Sequence, residues 1–302
     1  MSKPLLTVYI PRYITDELQY DMFISCLENA IKYLSEFELN IIVICDNENE
    51  ITKKYDPIIE KEFNIKFVQM EYKHIPDLAG YMYHLEHKPS ELMVNLFSNT
   101  MLNKTISVDK VLNAINKYGC YSFCYNYSCT KFFTQYYLWF KAIFPESDLL
   151  DGYLHATVGN PMYCSAQGNQ MFTSYECLRN VRNNFSYFWN VFENYDKLRY
   201  EDYPVNIFNK RTFNRQIRGV VEHFFTQLFF KTYSYPSNLE LLGETESCLY
   251  GFAFQNFNMF GYILTGVRQL ATNEHYRLWL NKKDDSQLVN CFNKFCSGEL
   301  IN

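Results

Sequence analysis

Two charged side chains follow two apolar segments that the sequence predicts to be β-strands. Arg12 comes directly after the run Leu5–Ile10 and Pro11, and Asp46 follows the run Asn40–Cys45. Parallel strands end at one common edge of a sheet, and open α/β proteins bind their ligands at that edge. The sequence therefore predicts a ligand crevice at which a cation, suited to a phosphate group, and a carboxylate come together.

Three side-chain amides, Gln167, Asn169 and Gln170, are grouped around Gly168. Amides both donate and accept hydrogen bonds, as hydroxyl-rich ligands require, and a glycine lets the backbone approach a ligand closely. A plain turn explains the same residues equally well. Asp77 presents a similar choice, because it opens a predicted helix and could serve as its N-cap or as a ligand contact.

Histidines and cysteines give little support for a metal site. His84 and His87 flank Glu86, but a third ligand such as His74 would have to come from elsewhere, so an ordinary helix end is the simpler interpretation. The ten cysteines lie mostly inside apolar runs, and no Cys-x-x-Cys pair occurs. We therefore expect buried free thiols and no metal cluster.

The segments that would position these side chains alternate between strand and helix. Apolar runs and helical spacing predict strands at 5–10, 40–45, 65–70 and 92–97 and helices at 16–37, 52–63, 76–87 and 108–118. This alternation predicts an α/β fold with parallel strands. From Gly119 onward the pattern is irregular and rich in aromatic residues, with predicted helices near 175–180, 185–195 and 219–233. We therefore predict two halves, 1–118 and 119–302, which could also form one continuous domain.

The composition predicts a large aromatic core, because 48% of the residues are hydrophobic and 18% are aromatic. A formal net charge of -5 gives no general attraction to nucleic acid or to an anionic membrane. The basic run 210–218 is a local exception. It is either a solvated surface or a contact for phosphates, as in a nucleic-acid-modifying enzyme.

The first residues lack a signal-peptide pattern, since Met1–Pro4 leads directly into the first predicted strand. No apolar run reaches the ~18 residues that a membrane span needs. We therefore expect a cytoplasmic protein.

The order of these segments resembles the GT-A class of glycosyltransferases. In that class a first strand ends in an Ile-Pro-x-Tyr-like loop and a second strand runs into an acidic turn, and the corresponding segments here are Val8–Tyr13 and Ile41–Glu48. A fainter similarity to uncharacterised proteins with a sugar-transferase-like fold involves Cys164–Phe172, Phe185–Phe192 and Val221–Phe225. The resemblance implies a GT-A-like, Rossmann-type mixed sheet flanked by helices, with a helical, aromatic-rich C-terminal extension.

The resemblance also implies a function, namely transfer of a sugar from a nucleotide-sugar donor to a saccharide, protein or modified-base acceptor, with inversion. GT-A enzymes generally hold a divalent metal with an Asp-x-Asp motif, but the corresponding position reads Phe97-Ser98-Asn99-Thr100, and the chain contains no Asp-x-Asp. Two interpretations stay open. One is a metal-independent enzyme with Lys or Arg at the leaving diphosphate, and the other is a non-catalytic binding or scaffold protein that keeps the fold.

Transferring the resemblance to this sequence gives candidate site residues. Glu222 is the candidate catalytic base, although a glutamate there could instead face solvent or pair with Arg218. Asp46 stands where the family usually has two aspartates and would contact the base or ribose. Arg268, in a basic C-terminal segment with Arg277, Lys282 and Lys283, could close over the diphosphate. The candidate donor residues are Pro11, Arg12, Tyr13, Asp46, Asp77, Asn99 and Arg268, and the candidate acceptor residues are Gln167, Asn169 and Gln170, with no metal ligand.

Overall fold

The computed structural model describes residues 2–70, 76–98, 100–102, 105–122, 138–144, 169–203, 207–233 and 249–251. Its strands are β1 (Leu5–Arg12), β2 (Glu38–Cys45), β3 (Lys66–Gln69), β4 (Leu92–Asn95), β5 (Thr100–Leu102), β6 (Cys120–Ser122), β7 (Met171–Ser174) and β8 (Leu249–Gly251). Its helices are α1 (Glu17–Tyr33), α2 (Glu50–Phe63), α3 (Ala79–His87), α4 (Val108–Tyr118), α5 (Tyr175–Asn184), α6 (Ser186–Glu193) and α7 (Phe213–Thr232).

Six strands form one mixed sheet in the order β3-β2-β1-β4-β7-β6. β1 pairs in parallel with both β2 and β4, and β2 pairs in parallel with β3. β7 runs antiparallel to its neighbours β4 and β6. The α/β mixed sheet expected from the sequence is therefore confirmed. β5 and β8 form a separate two-stranded sheet.

Helices cover both faces of this sheet, and the alternation of side chains along β1 shows which helix lies where. Arg12 points toward α1, since its guanidinium lies 4.9 Å from the ring centre of Phe23. Tyr9 points to the opposite face, where its hydroxyl is 3.0 Å from Nδ1 of His84 on α3. In the sheet, β2 and β3 lie on one side of β1, and β4 lies on the other side. Such a reversal of strand order leaves a crevice at the carboxyl ends of β1 and β4.

Local sequence signals fix the ends of the helices. Asp16 caps α1 by accepting a hydrogen bond from Gln19 N, and Asn49 forms a capping box with Thr52 at the start of α2. α1 is shorter than the predicted helix, because the chain leaves the helix at Leu34 before β2 begins. α7 is longer than predicted, because Phe213 and Ile217 add two buried apolar positions at its start.

An aromatic core joins the sheet to the helices that follow it. The rings of Tyr81 on α3 and Phe225 on α7 lie 4.9 Å apart, and Trp189 on α6 is buried 5.7 Å from Phe225. One hydrophobic cluster contains residues of both predicted halves. The division at residue 118 stays a prediction. The four cysteines described, Cys26, Cys45, Cys120 and Cys177, are buried free thiols, as expected. No described helix has the length and apolar character needed to cross a membrane.

Candidate functional site

The loops after β1 and β2 are joined at the carboxyl edge of the sheet. Asp46 N donates to the carbonyl of Arg12 at 3.0 Å. Asn47 Oδ1 accepts from Ile14 N at 2.9 Å, and Asn49 Nδ2 donates to the carbonyl of Ile14 at 2.6 Å. These bonds hold Asp46 beside the end of β1, as the sequence predicted.

Asp77 lies in the 3-10 turn Pro76–Leu78 that precedes α3. Its carboxylate accepts hydrogen bonds from Nε and Nη2 of Arg218 on α7, at 2.7 and 2.9 Å. The Asp77 side chain is only 8% exposed, whereas that of Arg218 is 49% exposed. Leu78 occupies the N-cap position of α3, and no side chain caps that helix. The carboxylate of Asp77 therefore serves the ion pair and not a helix cap.

Arg218 acts electrostatically on two further groups at this edge. Burial raises the pKa of Asp46, and the positive charge of Arg218 opposes that rise. Burial likewise raises the pKa of Tyr195 to about 12, with Arg218 opposing the rise and Asp77 adding to it. Asp46, Asp77, Tyr195 and Arg218 are termed the edge cluster below. The cluster combines two carboxylates, one guanidinium and a phenol that is neutral at physiological pH.

Arg12 is placed differently from the expectation that it faces the crevice. Its side chain is 1% exposed, it forms an ion pair with Asp56 on α2, and its Nη2 lies 3.4 Å from Sγ of Cys45. The rings of Phe23 and Phe67 flank the guanidinium at 4.9 and 4.6 Å. The reason is the alternation of β1, which directs position 12 to the face covered by α1 and α2. Arg218, which the sequence suggested only as a partner of Glu222 and as part of the basic run 210–218, is the cation paired with Asp77 at this edge.

The neighbouring residues of β1 reach the edge. Pro11 is half-buried within the strand, and Tyr13, the first residue beyond it, is 59% exposed. Asn95, at the end of β4, is fully buried and donates through Nδ2 to the carbonyl of Asp77 at 3.5 Å. Its polar side chain at the end of an apolar strand was a signal that could have identified it from the sequence.

Asn169 and Gln170 precede β7 and lie next to the carboxyl end of β4, where both are buried. Gln170 Oε1 accepts a hydrogen bond from Phe97 N at 3.1 Å, and the carbonyl of Asn169 accepts one from the hydroxyl of Tyr81. The amide atoms of Asn169 find no hydrogen-bond partner among the described residues. Two of the three candidate acceptor amides are thus buried next to the end of β4.

Several candidates lie outside the described residues: Asn99, Gln167 and Arg268, together with His74, Arg277, Lys282 and Lys283. Glu222 belongs to α7 and lies one helical turn after Arg218. Its role stays a prediction.

His84 has a structural partner in the hydroxyl of Tyr9. The imidazole is fully buried, Nδ1 faces the hydroxyl of Tyr9 at 3.0 Å, and burial lowers its pKa to about 4, helped by the charge of Lys88. His87 lies on the surface, 3.9 Å from Glu86. Within the part of the chain that the structure describes, no three His, Cys, Asp or Glu side chains are grouped so that they could hold a metal ion.

No protein-family model and no curated protein matches this chain. Among solved structures, it is similar to residues 1–349 of TarS from S. aureus over 72% of this chain and 55% of that one, with 12% identity and a TM-score of 0.36. It is also similar to the core-mannan synthase CmsA of Aspergillus fumigatus in a form with Mn and GDP, over 76% of this chain and 71% of that one, with 10% identity and a TM-score of 0.39.

A third structure, of GalNAc-T7 with UDP, GalNAc and Mn²⁺, matches over 42% of this chain and 24% of that one, with 14% identity and a TM-score of 0.32. Another TarS structure is covered over only 20% of its length. All three likenesses are distant, with identities of 10–14% and TM-scores of 0.32–0.39. The chemistry of this chain has to be argued from its own residues.

Proposed function

We propose that this chain transfers a sugar from a nucleotide-sugar donor to a hydroxyl group of a saccharide, protein or modified-base acceptor. The observation that carries the proposal is the edge cluster. Asp46 and Asp77 follow different parallel strands of the sheet, Arg218 forms an ion pair with Asp77, and its positive charge opposes the rise in the pKa of Asp46. Open α/β sheets bind nucleotides at this edge, where the strand order reverses.

The donor residues follow from this placement. Asp46 accepts hydrogen bonds from the base or ribose, and the exposed ring of Tyr13 offers a surface on which a base can stack. Arg218 supplies positive charge next to the donor. Asp77 holds Arg218 in position through the two-bond fork. Pro11 lies near the end of β1 at the same edge, and Asn99 is proposed as a donor contact from the sequence alone.

The reaction proceeds with inversion and without a bound metal. The carboxylate of Glu222 removes the proton of the acceptor hydroxyl, and the oxygen attacks the anomeric carbon. The bond between that carbon and the nucleoside diphosphate breaks, and the diphosphate leaves with the electron pair. The missing Asp-x-Asp motif supports a metal-independent reaction, in which cationic side chains such as Arg218 or Arg268 would stabilise the leaving group.

A thermal-shift panel in EDTA tests the proposal. At least one nucleoside diphosphate or nucleotide sugar should raise the Tm, because a ligand at 100 times its Kd stabilises the folded state by about 2.7 kcal/mol. Glu222→Gln should keep that shift and lose donor turnover. Glu176→Gln, which alters an exposed helical glutamate on α5, is the matched control. Absence of any shift, together with unchanged activity of Glu222→Gln, would refute the proposal.

A second candidate function is a non-catalytic binding or scaffold protein. The observation in its favour is that Asp77 and Gln170 already have hydrogen-bond partners within the chain and are buried. Polar groups used in this way support the fold. A nucleotide that raises the Tm but whose sugar is never transferred or hydrolysed during long incubation would favour this alternative.

A further inference from the structure

Three arginines lie along one face at the start of α7. Arg211 belongs to the 3-10 turn Lys210–Thr212, and Arg215 and Arg218 follow at the spacing of a single helix face. The opposite face carries the buried side chains of Phe213 and Ile217. All three arginines are exposed. They are termed the arginine face below.

The arginine face is a local exception to the charge of the chain. The described segments 194–203 and 207–218 contain six Lys or Arg side chains but only three Asp or Glu, whereas the whole chain carries a net charge of -5. Two cations of this region are paired, Lys210 with Glu201 at 2.8 Å and Arg218 with Asp77 at 2.7 Å. The remaining surplus is positive, so this surface attracts anions at short range.

The arginine face leads into the candidate site. Arg218 is at once its innermost member and part of the edge cluster. A helix rises 1.5 Å per residue, so Arg211 lies about 16 Å along the axis from position 222, where the proposed base is located. A chain bound along the three guanidinium groups would therefore end at the place of reaction.

We propose that the arginine face binds an acceptor chain carrying repeated phosphate groups and guides one of its hydroxyls to the edge cluster. The catalytic part of this inference rests on the proposed glycosyl transfer, whereas the binding part does not. Guanidinium groups bind phosphate oxygens through paired, charge-assisted hydrogen bonds. A neutral saccharide would gain little from three such groups, so the charge of this surface selects a polyanionic acceptor.

Binding of labelled inorganic polyphosphate tests the inference, with dextran as a neutral chain and oligothymidylate as a nucleic acid. The double variant Arg211→Glu/Arg215→Glu should weaken polyphosphate binding about tenfold. It should also reduce the slope of the logarithm of the binding constant against the logarithm of the salt concentration by about 1.4, because two phosphate contacts are lost. Lys53→Glu/Lys54→Glu reverses two exposed charges at the start of α2 and should leave binding nearly unchanged. Far-UV circular dichroism confirms that each variant is folded.

Polyphosphate binding that is absent, no stronger than dextran binding, or lost equally in both double variants would overturn the inference. Binding of oligothymidylate alone would overturn it too, because the partner would then be a nucleic acid. The two proposals fail separately. If nucleotides raise the Tm and polyphosphate does not bind, the inference fails alone. If polyphosphate binds as expected and no nucleotide raises the Tm, the proposed glycosyl transfer fails and the anion-binding surface stands.

Discussion

The guanidinium of Arg218 donates two hydrogen bonds to the carboxylate of Asp77, a residue 141 positions earlier in the chain. These two hydrogen bonds connect α7 to the 3-10 turn that follows β3. The positive charge of Arg218 also opposes the rise in the pKa of Asp46, so α7 brings its charge to the residues that follow β2 and β3. A residue of the aromatic-rich second half thus completes a site whose carboxylates come from the first half.

Asp77→Asn should lower the free energy of unfolding by about 1–2 kcal/mol, because it weakens two charge-assisted hydrogen bonds to Arg218. Urea unfolding at neutral pH measures the change. Asp202→Asn alters an exposed carboxylate outside the cluster and should change stability by less than about 0.5 kcal/mol. Equal decreases in the free energy of unfolding of the two variants would show that the hydrogen bonds between Asp77 and Arg218 contribute no stability.

Arg12→Ala should destabilise the fold by about 3–5 kcal/mol, because it leaves the carboxylate of Asp56 without its buried partner. Arg12→Met should recover much of that loss, since the flanking rings of Phe23 and Phe67 accommodate an apolar side chain. Equilibrium unfolding compares the variants. A folded Arg12→Met protein that has lost all nucleotide binding would contradict the structural role given to Arg12 here.

Lowering the pH from 6.5 to 4 should reduce the free energy of unfolding through His84, by up to about 3 kcal/mol. Its pKa is about 4 in the folded protein, below the ordinary value, so the unfolded chain binds the proton first in this interval. Urea unfolding at pH 7 and pH 4.5 measures the difference. His84→Gln should reduce the pH dependence, while His87→Gln, on the surface, should preserve it. If the free energy of unfolding of His84→Gln depended on pH as strongly as that of the unaltered protein, His84 would not be the group responsible.

Gly80→Ala should destabilise the fold by about 1–3 kcal/mol, although alanine has the higher helix propensity. A Cβ at this position would lie 2.7 Å from Cβ of Tyr9 and 2.8 Å from Oδ1 of Asn95. The variant should also weaken nucleotide binding, because Asn95 contacts the backbone of Asp77. Asn116→Ala, on the exposed side of α4, should be neutral or stabilising. A stabilised Gly80→Ala protein would mean that α3 can move away from β1 without cost.

The sequence predicted β1 to β4 and their parallel arrangement, because these apolar segments end in polar turns, but it did not predict β5 to β8 or the antiparallel pairing of β7. It could not predict the partner of Arg12. The alternation of β1 sets the face to which Arg12 points, but no local pattern shows that Asp56, which lies 44 residues later, is its partner on that face. The pairing of Asp77 with Arg218 was equally inaccessible, since no local pattern links residues so distant in sequence.

The central claim is that the edge cluster binds a nucleotide, and titration calorimetry of nucleoside diphosphates into metal-free protein tests it most directly. The account predicts that Asp46→Asn weakens binding about tenfold or more, as expected when a charged hydrogen-bond acceptor is lost. Glu48→Gln, an exposed carboxylate of the same turn, should bind as tightly as the unaltered protein. Absence of nucleotide binding, or equal affinities of the unaltered protein and Asp46→Asn, would contradict the claim.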